Sequence, residues 1–391
     1  MLEHGIVRAC EDQGFTLRDI EWFRSDWQRG GGSTGFATLA GPSLAAALPV
    51  VIKLPVGPVE FKWTCALAAD GRAPTPRVLA CGHEVGSAEL SWLVIERLPG
   101  PVVGSDLRPE VVSQMLHACA LVQARCQMLE PVAAPPAPFP FDRLIEKSRQ
   151  VAKLGDIASS QVWAHALRDV ARALPVLVAR WNSRTINAWC HGDLHGGNAL
   201  RRADGSICLI DLALVHPGHW LEDALYLERV TWSRTLAQRA ADTAARSANA
   251  HPSSSGQLNG HAPPSPGSPH APDSAERLAQ PPGWRGKQFG ERHAFSHHAD
   301  HLHKGNGRAG KKHKHANAPS SETHGASLLS QLAAFRRELG LACDDDYGQL
   351  ANTRRVLMAS CAPAWIEREG NPRHLAHALQ IIERLLPQVA H

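Results

Sequence analysis

Nowhere in the 391 residues is there an apolar run long enough to cross a membrane. The longest, Ala45-Ala46-Ala47-Leu48-Pro49-Val50-Val51-Ile52, stops at Lys53, far short of the about 20 residues a spanning helix needs. Paired cysteines are also missing. Nine cysteines, an odd number with no Cys-x-x-Cys, exclude a disulfide framework and a four-cysteine zinc site. Met1-Leu2-Glu3-His4 opens no basic stretch followed by an apolar core, so no signal peptide is expected. The expectation is a chain kept in the reduced cytoplasm, with no membrane partner. At 43% hydrophobic and 20% charged residues, the composition is that of a globular protein with a large core.

A general excess of positive charge is absent too, although the net charge is +4. Residues 246–325 hold ten Lys or Arg against five Asp or Glu, and the rest of the chain is close to neutral. Nucleic acid is therefore not an expected partner of the folded part. The same 80 residues contain 11 His, 9 Pro and 10 Gly, but only six large apolar or aromatic residues. Such a segment buries too little apolar surface to offset the entropy of ordering it. It reads as a disordered insertion; its histidines have no fixed metal-ligand spacing.

Short apolar or β-branched runs, Val50-Val51-Ile52-Lys53-Leu54 and Ser91-Trp92-Leu93-Val94-Ile95, mark strands in the first hundred residues. Between them, Glu60 to Ala69 fits a helix ending before Asp70-Gly71. From Pro109 the period changes: Val112, Met115, Leu116, Cys119, Val122 and Cys126 recur at helical steps. Further helices are expected at 141–154, 162–182, 327–340, 346–361 and 372–386. A β-rich part thus precedes a larger helical one, and the expected boundaries are 1–98, 99–245, the insertion 246–325, and 326–391.

Chemistry concentrates in Trp189-Cys190-His191-Gly192-Asp193-Leu194-His195-Gly196-Gly197-Asn198 and the stretch that follows, ending Ile207-Cys208-Leu209-Ile210-Asp211. A polar loop leads into a hairpin turning at Asp204-Gly205, which brings Asp193, Asn198 and Asp211 to one end. Two carboxylates and an amide oxygen converging on a loop suit Mg²⁺, a hard cation that also keeps substrate phosphates as ligands. The spacing His-x-Asp-x-x-x-x-Asn followed by an apolar strand and Asp is that of a kinase catalytic loop and its metal-binding Asp.

His191-Gly192-Asp193, Asn198 and Ile210-Asp211 together resemble the aminoglycoside phosphotransferase-like kinases, a family that includes choline and homoserine kinases. The resemblance implies an α+β, bilobal, protein-kinase-like fold, with a small β-rich lobe and a larger helical one. It implies transfer of the ATP γ-phosphoryl to a hydroxyl of a small molecule. Asp193 would be the catalytic base, and Asn198 with Asp211 would hold Mg²⁺. Upstream, Gly30 to Gly35 resembles a turn over the nucleotide phosphates, with Gly32, Ser33 and Gly35 as cofactor-binding candidates. Lys53 resembles the strand lysine on the α- and β-phosphates, with Glu60 as its partner. Glu96 to Leu98 resembles the hinge that meets adenine, with Glu96 and Leu98 the candidates.

Gly192 stands where protein kinases carry Arg, and only Leu212 to His219 separate Asp211 from the next expected helix. Both features favour a small-molecule kinase over the alternatives, a protein kinase or a nucleotide-binding pseudokinase adaptor. Asp223 matches the Asp that braces the loop in the family, whereas His219 and Trp220 depart from its Gly-Asp-Pro-x-x-Asp pattern. Asp344-Asp345-Asp346 reads as a helix-start cluster rather than a substrate contact.

Overall fold

The alternation in Leu48-Pro49-Val50-Val51-Ile52-Lys53-Leu54 is that of a strand with one dry face. Val50, Ile52 and Leu54 are buried, and Val51 and Lys53 fall on the other side. The computed structural model describes residues 2–23, 32–104, 107–133, 136, 138–232, 327–365 and 371–391. The expected insertion at 246–325 and the glycines at 30 and 31 lie outside the described residues.

Five antiparallel strands form the first sheet: β1 (Thr16–Phe23), β2 (Ser33–Ala40), β3 (Leu48–Leu54), β4 (Val78–Gly82) and β5 (Trp92–Glu96), in the order β1-β2-β3-β5-β4. Its dry face packs against helix α1 (Leu2–Glu11), where Ile6 and Cys10, one helical turn apart, meet Leu39, Val50, Ile52 and Val94. Each such side chain, once buried, contributes about 1.5–3 kcal/mol. The opposite face packs on α2 (Pro58–Asp70), through Val51, Leu93 and Ile95 against Phe61 and Cys65. Pro58 opens α2, and Gly71 closes it in the left-handed region at φ 68°, its N–H returning to the Leu67 carbonyl.

The helical part contains α3 (Pro109–Leu129), α4 (Phe141–Leu154) and α5 (Ser160–Asn182). The six apolar positions expected to line α3 are all buried. Four short strands follow: β6 (Ala188–Cys190), β7 (Ala199–Arg201), β8 (Ile207–Leu209) and β9 (His216–Gly218), with β6 paired to β9 and β7 to β8. Helices α6 (Glu222–Val230), α7 (Leu328–Glu338), α8 (Gly348–Ser360), α9 (Ala362–Trp365) and α10 (Pro372–Val389) complete the described chain. The architecture is the expected α+β one, a small antiparallel sheet with a larger helical part. The expected helix ends hold within about three residues, the usual fraying uncertainty. α1, at the chain start, was not expected. Among the described residues no helix is long and apolar enough to cross a membrane.

Candidate active site

Strand β6 ends at Cys190, and the hairpin β7–β8 turns where expected, with Gly205 at φ 82° and Asp204 Oδ1 accepting from the Ser206 N–H and hydroxyl. The loop 191–198 between them is held on both sides. Behind it, Asp223 at the start of α6 accepts from the His191 N–H (3.0 Å) through Oδ2 and from the Gly192 N–H (2.9 Å) through Oδ1. Gly192 lies at φ 82°, and a Cβ there would stand 2.3 Å from the Leu214 carbonyl oxygen. Only glycine fits. The His191 ring is buried between two backbone groups: Nδ1 accepts from the Asp193 N–H (3.3 Å), and Nε2 lies 3.1 Å from the Ile210 oxygen, which suits the Nε2–H tautomer. That contact ties the loop to the residue preceding Asp211.

In front, Asp193 is 5% exposed and fully engaged. Its Oδ2 accepts from Asn198 Nδ2 at 2.9 Å and lies 3.5 Å from His195 Nε2, while its Oδ1 accepts from the Tyr226 hydroxyl at 2.5 Å. Burial opposes ionisation of Asp193, yet the His195 and Tyr226 contacts more than offset it and hold the carboxyl below its ordinary range. Asn198 Nδ2 donates also to the Asp193 carbonyl, at 3.0 Å. Both contacts use the amide nitrogen, so Oδ1 is the end of Asn198 suited to a cation.

Asp211 follows β8 in the left-handed region at φ 62°, half-buried. Lys53 forms an ion pair with Glu60 in the first turn of α2, and Asp211 lies near enough to act on the same ammonium. Burial works against the Lys53 charge, but Glu60 and then Asp211 outweigh it and raise the ammonium above its ordinary range. The register of β2 on β3 sets Ser33 opposite Leu54, Thr34 opposite Lys53 and Gly35 opposite Ile52. Ser33 and Gly35 therefore lie at the start of a strand beside Lys53, Gly32 immediately precedes it, and Gly30 and Gly31 lie outside the described residues.

At the end of β5, the Glu96 carboxylate is bound by Arg77 (Nε, 2.9 Å) and Arg202 (Nη1, 2.8 Å). Its N–H donates to the Arg77 carbonyl and that of Arg97 to the Pro49 carbonyl. The Glu96 side chain thus joins the sheet to the hairpin, and of the N–H groups at 96–98, where a hinge was expected, it is Leu98 whose N–H is not used within the described fold.

Three participants were not read from the sequence. Tyr226 is one; one turn beyond Asp223 on α6, its i, i+3 spacing is the signal that could have found it. Gln123 Nε2 donates to Asp223 Oδ2 (3.0 Å), and its Oε1 accepts from Arg336 Nη1 (2.5 Å). Asp344 accepts from or pairs with buried His219 Nε2 at 2.6 Å, and α8 begins only at Gly348. The helix-start reading of Asp344 is therefore corrected: the buried imidazole needed a polar partner, and the carboxylate supplies it. Cys190, His216 and Glu222 place potential ligand atoms within 4.8 Å of one another. Arg184 (3.1 Å) and Arg354 (4.0 Å) already sit on Glu222, and their charge opposes a cation there.

Residues 57–256, just over half of the chain, match the model of the phosphotransferase enzyme family. The chain belongs to this family. Three similar solved structures are a protein described as an aminoglycoside phosphotransferase from Ralstonia eutropha JMP134 (12% identity, 98% of each chain covered, TM-score 0.47), an aminoglycoside phosphotransferase from Alicyclobacillus acidocaldarius (16%, 55% of this chain and 68% of that one, 0.40), and a variant of aminoglycoside phosphotransferase APH(4)-Ia in a ternary complex with ADP and hygromycin B (16%, 61% and 82%, 0.36). No curated protein matches the chain. The phosphotransferase family match spans the loop 191–198, Asp211 and Asp223, but begins after Lys53 and ends before Arg336.

Proposed function

We propose that this phosphotransferase moves the γ-phosphoryl group of ATP to a hydroxyl group of a small molecule. The observations that carry the reading are the Asn198–Asp193 hydrogen bond, the Ile210 N–H donating to the Asn198 carbonyl just before Asp211, and the action of Asp211 on the ammonium of the Lys53–Glu60 pair. Asp193 takes up the proton of the acceptor hydroxyl while that oxygen bonds to the γ-phosphorus, and ADP departs with the bridging oxygen. Lys53, kept charged by Glu60, compensates the α- and β-phosphates. Gly32, Ser33 and Gly35 flank them, and Leu98 offers a backbone N–H to adenine, beside Glu96. Asn198 Oδ1 and the Asp211 carboxylate would hold Mg²⁺. When bound, the ion would neutralise phosphate charge that builds up during transfer.

Such transfer needs positioning and charge compensation more than covalent chemistry, so a few fixed residues suffice. The eight residues from Leu212 to His219 between Asp211 and Trp220 leave no room for a peptide-docking segment, which favours a small acceptor over a protein. The test is ADP release from ATP and Mg²⁺ across a panel of hydroxylated small molecules, amino sugars and amino alcohols included. At least one acceptor should raise the rate strongly in the wild type and only to a small residual in Asp193→Asn. Equal rates in the two proteins would refute the assignment.

A further inference from the structure

One contact at the site is unexplained by the roles above. The Tyr226 hydroxyl donates to Asp193 Oδ1 at 2.5 Å, with Tyr226 7% and Asp193 5% exposed. A phenol buried against a carboxylate is a polar group that needs this partner, and the carboxylate gains a charge-assisted bond. Oδ2 is meanwhile taken by Asn198, so the two oxygens are held from two different elements, α6 and the short turn Gly196–Asn198. A carboxylate gripped at one oxygen can still turn about its Cβ–Cγ bond; gripped at both, it cannot. Helix α6 itself is fixed to the loop by Asp223, three residues earlier, so the tyrosine is delivered on a rigid support. Burial and the neighbouring Asp193 charge push the Tyr226 phenol well above its ordinary range, so it stays a donor.

We propose that Tyr226 is a positioning residue that fixes the orientation of the Asp193 carboxylate through Oδ1. This rests on the role given to Asp193 above. The phenol is no proton carrier in this scheme: its hydroxyl stays a donor to Oδ1, while Oδ2 is shared by Asn198 Nδ2 and His195 Nε2.

The chain contains only two tyrosines, Tyr226 and Tyr347, which makes the contact observable without turnover. Full-length protein grown with 3-fluorotyrosine should give two ¹⁹F resonances, assigned by Tyr347→Phe. Asp193→Asn, which removes the charge on the acceptor, should move the Tyr226 line and leave the Tyr347 line in place. A Tyr226 line indifferent to Asp193→Asn would overturn the contact and the proposal with it.

The kinetic arm uses ATP, Mg²⁺ and the best acceptor of the panel. Tyr226→Phe should lower kcat by about ten- to a hundredfold, the effect of losing a bond to a charged group that orients a reacting atom. KM for ATP and the melting temperature should stay close to wild type. In the Asp193→Asn background, Tyr226→Phe should cause no further loss, because nothing remains to position. An unchanged kcat in Tyr226→Phe, or an equal loss in both backgrounds, would reduce the tyrosine to packing. Retained turnover in Asp193→Asn alone would instead sink the reading of Asp193 and leave the ¹⁹F result to stand separately.

Discussion

The front and the back of the loop 191–198 are built by opposite rules. In front, hydrogen-bonded partners are nearer in sequence: Asn198 holds Asp193 across five positions, Lys53 meets Glu60 across seven, and Tyr226 reaches Asp193 across 33. Behind, they are remote: Gln123 reaches Asp223 across 100 positions, His219 reaches Asp344 across 125, and Arg336 reaches Gln123 across 213. Front groups have capacity left over, such as Asn198 Oδ1 and the Asp211 carboxylate, whereas Asp223 is fully buried and accepts from four donors. A site that must admit phosphates keeps unfilled valences; a support that must not move spends them. Loss of a front residue should therefore cost rate, and loss of a back residue should cost stability.

The largest separation is expected at Asp193. Asp193→Asn should lower turnover by about a thousandfold, within the range for removing a general base, while the melting temperature changes by only a few degrees. A variant that keeps more than a tenth of the wild-type rate would remove Asp193 from the role of base.

Arg336→Met should do the reverse. The guanidinium is completely buried, donates to Gln123 Oε1 and the Ala342 carbonyl, and lies 5.9 Å from the Trp220 ring. Methionine fills part of the space but leaves both acceptors unpaired, at a cost of about 2–4 kcal/mol. A clear fall in melting temperature is expected, with nucleotide affinity preserved in the folded fraction. If Arg336→Met melts like the wild type yet loses nucleotide affinity, the division between front and back fails.

A smaller effect should appear with acid. Burial alone would raise the Glu222 carboxyl, but the His216 contact and the Arg354 and Arg184 charges hold it far below its ordinary range. A carboxylate depressed in the folded state contributes stability that is present above its unfolded pKa, about 4.3, and is lost as pH falls through and below that value. The melting temperature should thus fall progressively from about pH 5 downward, and Glu222→Gln should flatten that part of the profile. An unaltered acid slope in the variant would show that Glu222 is not its source.

The same contrast explains what could be read in advance. His191, Asp193, Asn198 and Asp211 were legible because they lie within one loop and hairpin, where spacing alone sets geometry. The helices were legible because apolar residues recur at helical steps, as from Val112 to Cys126 along α3. Arg336 was not. It follows a segment of about 80 residues with no periodicity, and an arginine in an amphipathic helix ordinarily faces solvent. His219 and Trp220 depart from the family pattern. In the fold, His219 bonds to Asp344 and Trp220 packs edge-on against Tyr347 at 5.1 Å, so the segment 344–347 accommodates both. No local pattern carries that information, because each half of the pair is ordinary by itself.

The most direct measurement of the proposed chemistry is calorimetric titration of ATP into wild-type and Asp211→Ala protein, each with and without Mg²⁺. Wild-type affinity should rise when Mg²⁺ is added, and Asp211→Ala should lose at least about tenfold of that gain, the loss of one charge-compensating ligand. Its affinity without Mg²⁺ should be unchanged or slightly better, since one negative charge near the phosphates is gone. Equal Mg²⁺-dependent affinity in the two proteins would contradict the placement of the metal, and with it the reading of this loop as the centre of phosphoryl transfer.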